Sequence, residues 1–230
     1  MRLVLWDIDG TLVHTAGHGR DAFSAAFAAI FGRPADLTAV SMGGRTDQDI
    51  ATEVLATGGV ADGAAHIPRM LDELGLALGA VRERIAEEGH VTPGAPETLE
   101  AVRGQPGITQ SLLTGNIEPN AELKLGAFGL DRFLDLEIGG YGSDPHSTRS
   151  DLVAVAREKV HRLRGVSVDA ADTILIGDTP LDIEAARGAG ARAIGVGAAS
   201  YTRGQLLEAG AEAAFDDLRD TRGLMSALGA

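Results

Sequence analysis

The sequence contains no cysteine, no long apolar run and only two lysines. Without cysteine there are no disulfide bonds and no thiolate metal ligands, so nothing in the chain requires an oxidising compartment. The short apolar run at the start meets Asp7 and Asp9 too early for a signal-peptide core or a membrane span. These absences predict a cytoplasmic protein that does not use a membrane.

Positive charge is scarce and is carried almost entirely by arginine. The 230 residues include 20 basic and 33 acidic side chains, a formal net charge of −13. A chain of this charge is not attracted as a whole to nucleic acid or to anionic membranes. With about 150 residues in a usual domain, the length predicts one large domain or a domain with an insertion. We expect no nucleic-acid partner and a monomer or homodimer.

Short apolar segments alternate with helical segments in the second half of the chain. Strands are predicted at residues 3–8, 109–113, 134–138, 173–176, 193–196 and 213–215, and helices at 119–127, 150–163, 180–189 and 203–209. This alternation is typical of a mostly parallel sheet with helices on both faces. The fold class is therefore predicted to be α/β, with a Rossmann-like core.

The first and second strands are separated by residues that read as successive helices, at about 20–31, 47–56, 64–88 and 95–103. An ordinary crossover between parallel strands needs only about a dozen residues. We therefore predict an inserted all-helical domain of residues 15–92 and an α/β core of residues 1–14 and 93–230.

Polar residues follow several predicted strands, at the edge of a parallel sheet where ligands bind. These residues are Asp7, Asp9, Thr114, Gly115, Asn116, Arg149, Asp178 and Asp182. Crowded carboxylates raise one another's pKa, and a bound divalent cation removes that conflict. Oxygen ligands without cysteine or paired histidines favour Mg²⁺. Such a site, with hydroxyl, amide and guanidinium groups, predicts phosphoryl transfer.

Three segments of the sequence resemble motifs of the haloacid dehalogenase superfamily. Residues 7–11 (DIDGT) match its first motif, residues 112–116 (LLTGN) resemble the second, and residues 177–182 (GDTPLD) resemble the fourth. Their order and spacing and the helical insertion after the first motif also agree. The nearest subgroup is the phosphoglycolate phosphatase-like enzymes, in which the insertion is an α-helical cap domain.

The resemblance implies a role for each acidic residue. Asp7 would be the nucleophile that forms an aspartyl-phosphate, and Asp9 would act as general acid and then as general base. Mg²⁺ would be held by the Asp7 carboxylate, the Asp9 main-chain carbonyl and Asp178. Asp182 would lie behind these groups and orient Arg149 or a metal-bound water, although at N3 of a helix capped by Thr179 it also has a structural role.

The resemblance also implies groups that bind the phosphoryl oxygens: the Thr114 hydroxyl with the N–H groups of Gly115 and Asn116. The third motif departs from the family, which usually has a lysine there. Lys124 lies on the helix after Asn116 and Lys159 lies deep in a later helix, so we expect both outside the site. Arg149 occupies the expected place; the alternative is a site with no cation from this segment.

Residues 43–47 (GGRTD) form the candidate specificity loop of the predicted cap. Arg45 could contact a substrate carboxylate or a second phosphate. The alternative is an ordinary loop in which Thr46 caps the next helix.

The resemblance predicts a Mg²⁺-dependent phosphatase that acts on a small phosphorylated metabolite, similar to phosphoglycolate. One alternative is a phosphomutase of the β-phosphoglucomutase type; that subgroup tends to use a cap lysine, and none lies between Asp9 and Asn116. Another is a non-catalytic binding module, which could lose Asp9 or Asp178. A dehalogenase fits poorly because those enzymes do not keep the acid at Asp9.

Overall fold

A computed structural model describes residues 1–229. The strands are β1 (Arg2–Trp6), β2 (Val13–His14), β3 (His90–Val91), β4 (Ile108–Leu112), β5 (Thr173–Gly177), β6 (Arg192–Val196) and β7 (Ala213–Phe215). The α-helices are α1 (His18–Phe31), α2 (Asp47–Thr57), α3 (Gly63–Gly79), α4 (Arg82–Glu88), α5 (Ala95–Arg103), α6 (Glu118–Ala127), α7 (Asp151–Arg164), α8 (Pro180–Gly188), α9 (Arg203–Glu208) and α10 (Thr221–Leu228).

The main sheet has five parallel strands in the order β4-β1-β5-β6-β7, which confirms the predicted α/β fold. Successive side chains of a strand point to opposite faces. Accordingly, Val4 and Trp6 of β1 join the core cluster under α5, α6 and α10. Leu3 and Leu5 join the cluster under α7, α8 and α9. Since both faces are covered, β1 is apolar throughout rather than alternating.

A helical region, residues 15–92, leaves and rejoins the sheet through the short antiparallel pair of β2 and β3, in which Val13 lies opposite Val91. Helices α1 to α4 have a core of their own. Its largest fully buried members are Phe27, Leu55, Met70, Leu74, Leu78 and Ile85. The division of the chain into two domains stays a prediction. In the described chain, no helix is long and apolar enough to cross a membrane.

The helix predicted over residues 64–88 is two helices, because the chain turns between Gly79 and Arg82. The N–H of Val81 bonds to the Leu78 carbonyl, and Val81 itself has φ −113° and ψ 15°. Glycine weakens a helix interior, so Gly79 is a natural end for α3. The apolar stripe continues across the break, and Leu74, Leu78 and Ile85 are all buried.

The strand predicted at residues 134–138 is wrong. This segment forms a 3-10 turn at Leu136–Ile138 and meets β4 only through separate contacts. The Asp135 N–H bonds to the Gln110 carbonyl, and Gly140 forms an isolated bridge with Leu113. Ile138 is nevertheless buried. The apolar pattern indicates burial against the sheet. A segment can be buried there without pairing with a strand.

Candidate active site

Asp7 and Asp9 lie on a tight turn directly after β1. The Asp7 N–H bonds to the Ile176 carbonyl of β5 at 2.8 Å, and the Asp7 side chain is buried. Gly10 has φ +87°, and a Cβ there would clash with the Asp178 carboxylate. Both facts require glycine after Asp9. The turn leaves the Asp9 side chain 44% exposed in the wall of a cavity.

The carboxylates of Asp7, Asp178 and Asp182 form a buried cluster, with one oxygen of each within 4.8 Å of the others. Asp178 accepts a hydrogen bond of 3.2 Å from the Thr11 hydroxyl. Asp182 is at N3 of α8, where one carboxylate oxygen accepts bonds from the Thr179 N–H and hydroxyl. Asp182 therefore caps α8 and also belongs to the cluster.

Arg149 is the cation of this cluster. Its buried guanidinium donates to Asp7 Oδ1 at 2.8 Å and to Asp182 Oδ1 at 2.5 Å. The Arg149 Nε is also buried and has no partner within the described residues. One guanidinium thus compensates two carboxylates, and its buried Nε–H remains available as a donor.

The pKa values show that the cluster holds excess negative charge. Burial, and then the charge of Asp182, raises the pKa of Asp7 to about 7. Burial, and then the charge of Asp7, raises the pKa of Asp178 to about 8. Burial alone would lower the Arg149 pKa, but Asp182 and Asp7 outweigh it and raise that pKa. A hard divalent cation would stabilise the ionised carboxylates, and the oxygen-only donor set fits Mg²⁺.

The loop after β4 lies beside Asp9. The buried Thr114 hydroxyl accepts bonds from the Asn116 N–H at 3.2 Å and from the Asn116 side-chain amide at 2.8 Å. That amide also donates to Asp9 Oδ2 at 2.8 Å. A Cβ at Gly115 would overlap the main-chain carbonyl of Arg45. Only glycine allows the loop to approach the helical region this closely.

Lys124 also belongs to the site, and the expectation that it lies outside is wrong. Its buried Nζ donates to Asp9 Oδ2 at 2.6 Å and to Asn116 Oδ1 at 2.7 Å. Burial would raise the Asp9 pKa, but the charge of Lys124 and its hydrogen bond outweigh burial and lower that pKa. The sequence signal that could have found Lys124 was its spacing from Asn120 on α6, because residues four apart lie on the same face of a helix.

Asp47, which sequence reasoning missed, joins the helical region to the loop after β4. Its carboxylate accepts a bond of 2.8 Å from the Ile117 N–H, and its own N–H bonds to the Gly115 carbonyl at 2.7 Å. Burial raises the pKa of Asp47 to about 6 although the charge of Lys124 opposes this shift. Two hydrogen bonds therefore span the boundary between the two regions.

Residues 1–190 match the model of the haloacid dehalogenase-like hydrolase family. The chain belongs to this family. Among its relatives is "Probable phosphatase IndB" of Dickeya dadantii, with 29% identity over 98% of this chain and 94% of the relative. A "Phosphoglycolate phosphatase" of Rhodospirillum rubrum is 31% identical over 94% of this chain and 87% of the relative.

Solved structures share the fold of this haloacid dehalogenase-like hydrolase. A hydrolase from Pseudomonas syringae matches with a TM-score of 0.72 and 20% identity over 99% of each chain. A β-phosphoglucomutase from Clostridium difficile matches with a TM-score of 0.74 and 16% identity, over 100% of this chain and 97% of the other. At these identities the likeness concerns the fold alone.

The site of this haloacid dehalogenase-like hydrolase opens into a cavity of about 220 Å³ between the sheet and the helical region. The lining includes six of the residues predicted as site residues: Asp7, Asp9, Thr114, Gly115, Asn116 and Arg149. Arg45 also lines the cavity, whereas the hydroxyl of buried Thr46 caps α2 by accepting the Asp49 N–H. Thr46 thus caps α2, as the alternative interpretation of residues 43–47 predicts.

Proposed function

We propose that this hydrolase is a Mg²⁺-dependent phosphatase that acts on a small phosphomonoester through an aspartyl-phosphate. The observation that carries the proposal is the buried Asp7 carboxylate at the end of β1, in contact with Arg149 and clustered with Asp178. Arginine beside a carboxylate nucleophile lets a negatively charged phosphate approach it. Phosphatase names among the relatives support the same reaction class.

Asp7, Asp178 and the main-chain carbonyl of Asp9 are the groups that would hold Mg²⁺. When bound, the ion supplies positive charge to the carboxylates and to the phosphoryl oxygens. Asp182 would stay in its capping position behind them and hold Arg149. The raised pKa values of Asp7 and Asp178 support this assignment, because a bound cation would offset the repulsion between carboxylates that contributes to them.

The reaction would proceed in two displacements at phosphorus. An oxygen of Asp7 forms a bond to phosphorus while the bond to the ester oxygen breaks, and Asp9 gives its proton to the departing alkoxide. Water then attacks phosphorus, the bond to Asp7 breaks, and Asp9 takes the proton from that water. Thr114 and the main-chain N–H groups of Gly115 and Asn116 would bind the phosphoryl oxygens.

Lys124 and Asn116 would act as positioning residues for Asp9. Both donate to the same oxygen, Oδ2, which leaves Oδ1 to face the ester oxygen or the water. The ion pair favours the ionised form of Asp9, which takes a proton from water. An anionic substrate beside Asp9 would raise its pKa again and favour the acid form.

The helical region would serve as a cap that opens to admit the substrate and closes over it. The linkers at β2 and β3 are short, with a single antiparallel pair and the stacked rings of His14 and His90, 4.7 Å apart. Opening would break the bonds that Asp47 makes to the loop after β4. The substrate would be a small phosphorylated metabolite, and neither nucleic acid nor membrane enters the reaction.

A phosphomutase of the β-phosphoglucomutase type is the second candidate, since such an enzyme shares this fold. The observation against a mutase is that Lys124 does not come from the helical region. This lysine comes from α6 of the sheet-containing part, and no lysine lies in residues 15–92. A mutase would transfer the phosphoryl group to a sugar hydroxyl instead of water.

The test is release of inorganic phosphate from a panel of phosphate esters with Mg²⁺ and with EDTA. We expect release only with Mg²⁺, and a loss of about 10⁴-fold or more in Asp7→Asn. Asp131→Asn, an exposed change, is the control and should keep full activity. Transfer of phosphate between positions of a sugar phosphate would favour the mutase, and no turnover of any ester would favour the binding module.

A further inference from the structure

We propose, on the basis of the function proposed above, that the leaving group is an uncharged and mainly apolar alcohol that carries one hydrogen-bond donor. Glycolate, the alcohol implied by the names of two relatives, carries a carboxylate instead. The proposal rests on three features of the cavity lining: its apolar side chains, the existing partners of its cations, and one buried amide oxygen without a partner.

The part of the cavity that faces the helical region is apolar. Its side chains come from four separate segments of that region and are Phe23, Met42, Ile50, Leu74 and Leu78. All but Met42 are buried in the core of the helical region. At about 220 Å³, the cavity is smaller than sites for drug-sized ligands, which have about 300–1,000 Å³. Contact with this wall favours a small alcohol with apolar surface.

The arginines of this wall are already bound by other groups. The guanidinium of Arg45 pairs with Glu53 and donates to the main-chain carbonyls of Ser41 and Asp49. The guanidinium of Arg20 donates to two carbonyls, those of residues 37 and 40, at 2.7 and 2.9 Å. A substrate carboxylate would therefore compete with Glu53 for Arg45 and with two main-chain carbonyls for Arg20.

The charges nearest the cavity also disfavour a second anion. Lys124 is paired with Asp9, and the carboxylate of Asp47 lies in the same lining. One lysine thus faces two carboxylates there. Arg149 is held at the other end by Asp7 and Asp182. A carboxylate placed against the apolar wall would lose its hydration beside the Asp47 carboxylate and would find only cations that already have hydrogen-bond partners, which is costly.

Asn120 supplies an unsatisfied hydrogen-bond acceptor to the cavity. It lies in α6, is 3% exposed and lines the cavity, and its Oδ1 has no hydrogen-bond partner among residues 1–229. Leaving a buried acceptor unpaired is unfavourable. A hydroxyl or N–H of the substrate would satisfy this oxygen, which gives the site a preference for an alcohol with one donor.

The first experiment compares 2-phosphoglycolate with isobutyl phosphate, which has the same number of non-hydrogen atoms and no carboxylate. We expect kcat/KM to be about tenfold or more higher for isobutyl phosphate. Faster hydrolysis of phosphoglycolate, lost selectively in Arg45→Ala, would overturn the proposal while leaving the phosphatase function intact. Absence of turnover with every ester of the panel would instead overturn the phosphatase function.

The second experiment compares 4-hydroxybutyl phosphate with n-pentyl phosphate, in which a methyl group replaces the hydroxyl. We expect the wild type to prefer the hydroxyl ester by about tenfold or more in kcat/KM. Asn120→Leu should reduce this ratio to about one, whereas Gln48→Leu, an exposed amide on α2, should keep it. Equal rates in the wild type, or an unchanged ratio in Asn120→Leu, would overturn the proposal.

Discussion

The two ends of the cavity differ in almost every physical respect. The sheet end, at Asp7 and Arg149, is dense in charge; Asp7 directly follows β1, and Arg149 lies just before α7. The helical end, at Phe23 and Leu78, is apolar and is assembled from side chains far apart in the sequence. The difference indicates that the two ends have different roles in the reaction. Changes at the sheet end should lower kcat, and changes at the helical end should alter KM and the choice of ester.

After Asp7→Asn, the largest effect is expected from Arg149→Met. This change leaves Asp7 and Asp182 buried without their cation and removes a charge that stabilises the transition state, so kcat should fall by about 10²–10³-fold. Arg157→Met is the matched control, because Arg157 lies on α7, the helix that follows Arg149, and donates to the Val168 carbonyl away from the site. Steady-state kinetics on the best ester measures both. A kcat within threefold of the wild type would remove Arg149 from the reaction.

Lys124→Met should lower kcat by about 10²-fold with little change in KM, because Asp9 would lose the group that positions it. The Asp9 pKa should rise without Lys124, so the acidic limb of the pH–kcat profile should move to higher pH. Lys124→Arg should recover part of the rate. Lys159→Met, which breaks an ion pair with Asp144, should leave the profile in place. If the acidic limb of the profile stays in place in Lys124→Met, Lys124 has only a structural role.

At the helical end, Met42→Gln should raise KM for n-pentyl phosphate by about tenfold, because a buried methionine contact is worth about 1.5–3 kcal/mol. The value of kcat should stay near that of the wild type, since this contact is made equally in the ground and transition states. Met42 is suited to the test because it is only partly buried. A drop in kcat with constant KM would contradict the division between the two ends.

Mg²⁺ should stabilise the fold, and more so at higher pH. Without the ion, the raised pKa values of Asp7 and Asp178, about 7 and 8 against the ordinary 3.8, make the free energy of unfolding fall as pH rises from about 4 to 8. Mg²⁺ at 100 times its Kd should add about 2.7 kcal/mol, or a Tm increase of about 5–10 °C.

Thermal unfolding at pH 6 and pH 8, with Mg²⁺ and with EDTA, measures this effect. The increase should be larger at pH 8, where the carboxylates must otherwise repel one another. Asp178→Asn should lose most of the increase. An equal Tm increase in that variant would place the ion elsewhere.

The smallest effect is expected at the boundary between the regions. The pKa of Asp47, about 6 instead of 3.8, means that the ionised carboxylate destabilises the fold as pH rises from about 4 through 6. Asp47→Asn keeps an oxygen for the Ile117 N–H, so it should gain about 1–2 kcal/mol at pH 7.5 and little at pH 4.5. Urea unfolding measures the difference, with exposed Asp21→Asn as control. The same gain at both pH values would contradict the shifted pKa.

The sheet end could be predicted because its geometry follows from chain order. Asp7 and Asp178 come directly after β1 and β5, and Thr114 lies two residues after β4. The carboxyl ends of these parallel strands meet at one edge. No information about side-chain packing was needed. Arg149 could be proposed from its place before α7, although only the structure shows its contacts with two carboxylates.

The rest depends on tertiary packing, which local patterns do not encode. Lys124 reaches Asp9 only because α6 lies with that face toward the cavity. Ile138 is buried and Leu134 and Leu136 are partly buried against the core. Such a pattern does not distinguish a strand from a 3-10 turn. The continuous stripe through Leu78 and Ile85 likewise hides the turn between α3 and α4.

The absence of a side chain at Gly115 has one more consequence. Its backbone lies directly against the Arg45 carbonyl, and Asp47 is bonded to the same loop. The loop proposed to bind the phosphoryl group is therefore held on one side by the chain before α2. A leaving group too bulky for the apolar end would push that chain away and remove this part of the support. The fit of the leaving group at the apolar end would thus determine whether the phosphate-binding loop is in place at the other end. An ester that fits poorly would be bound but seldom cleaved.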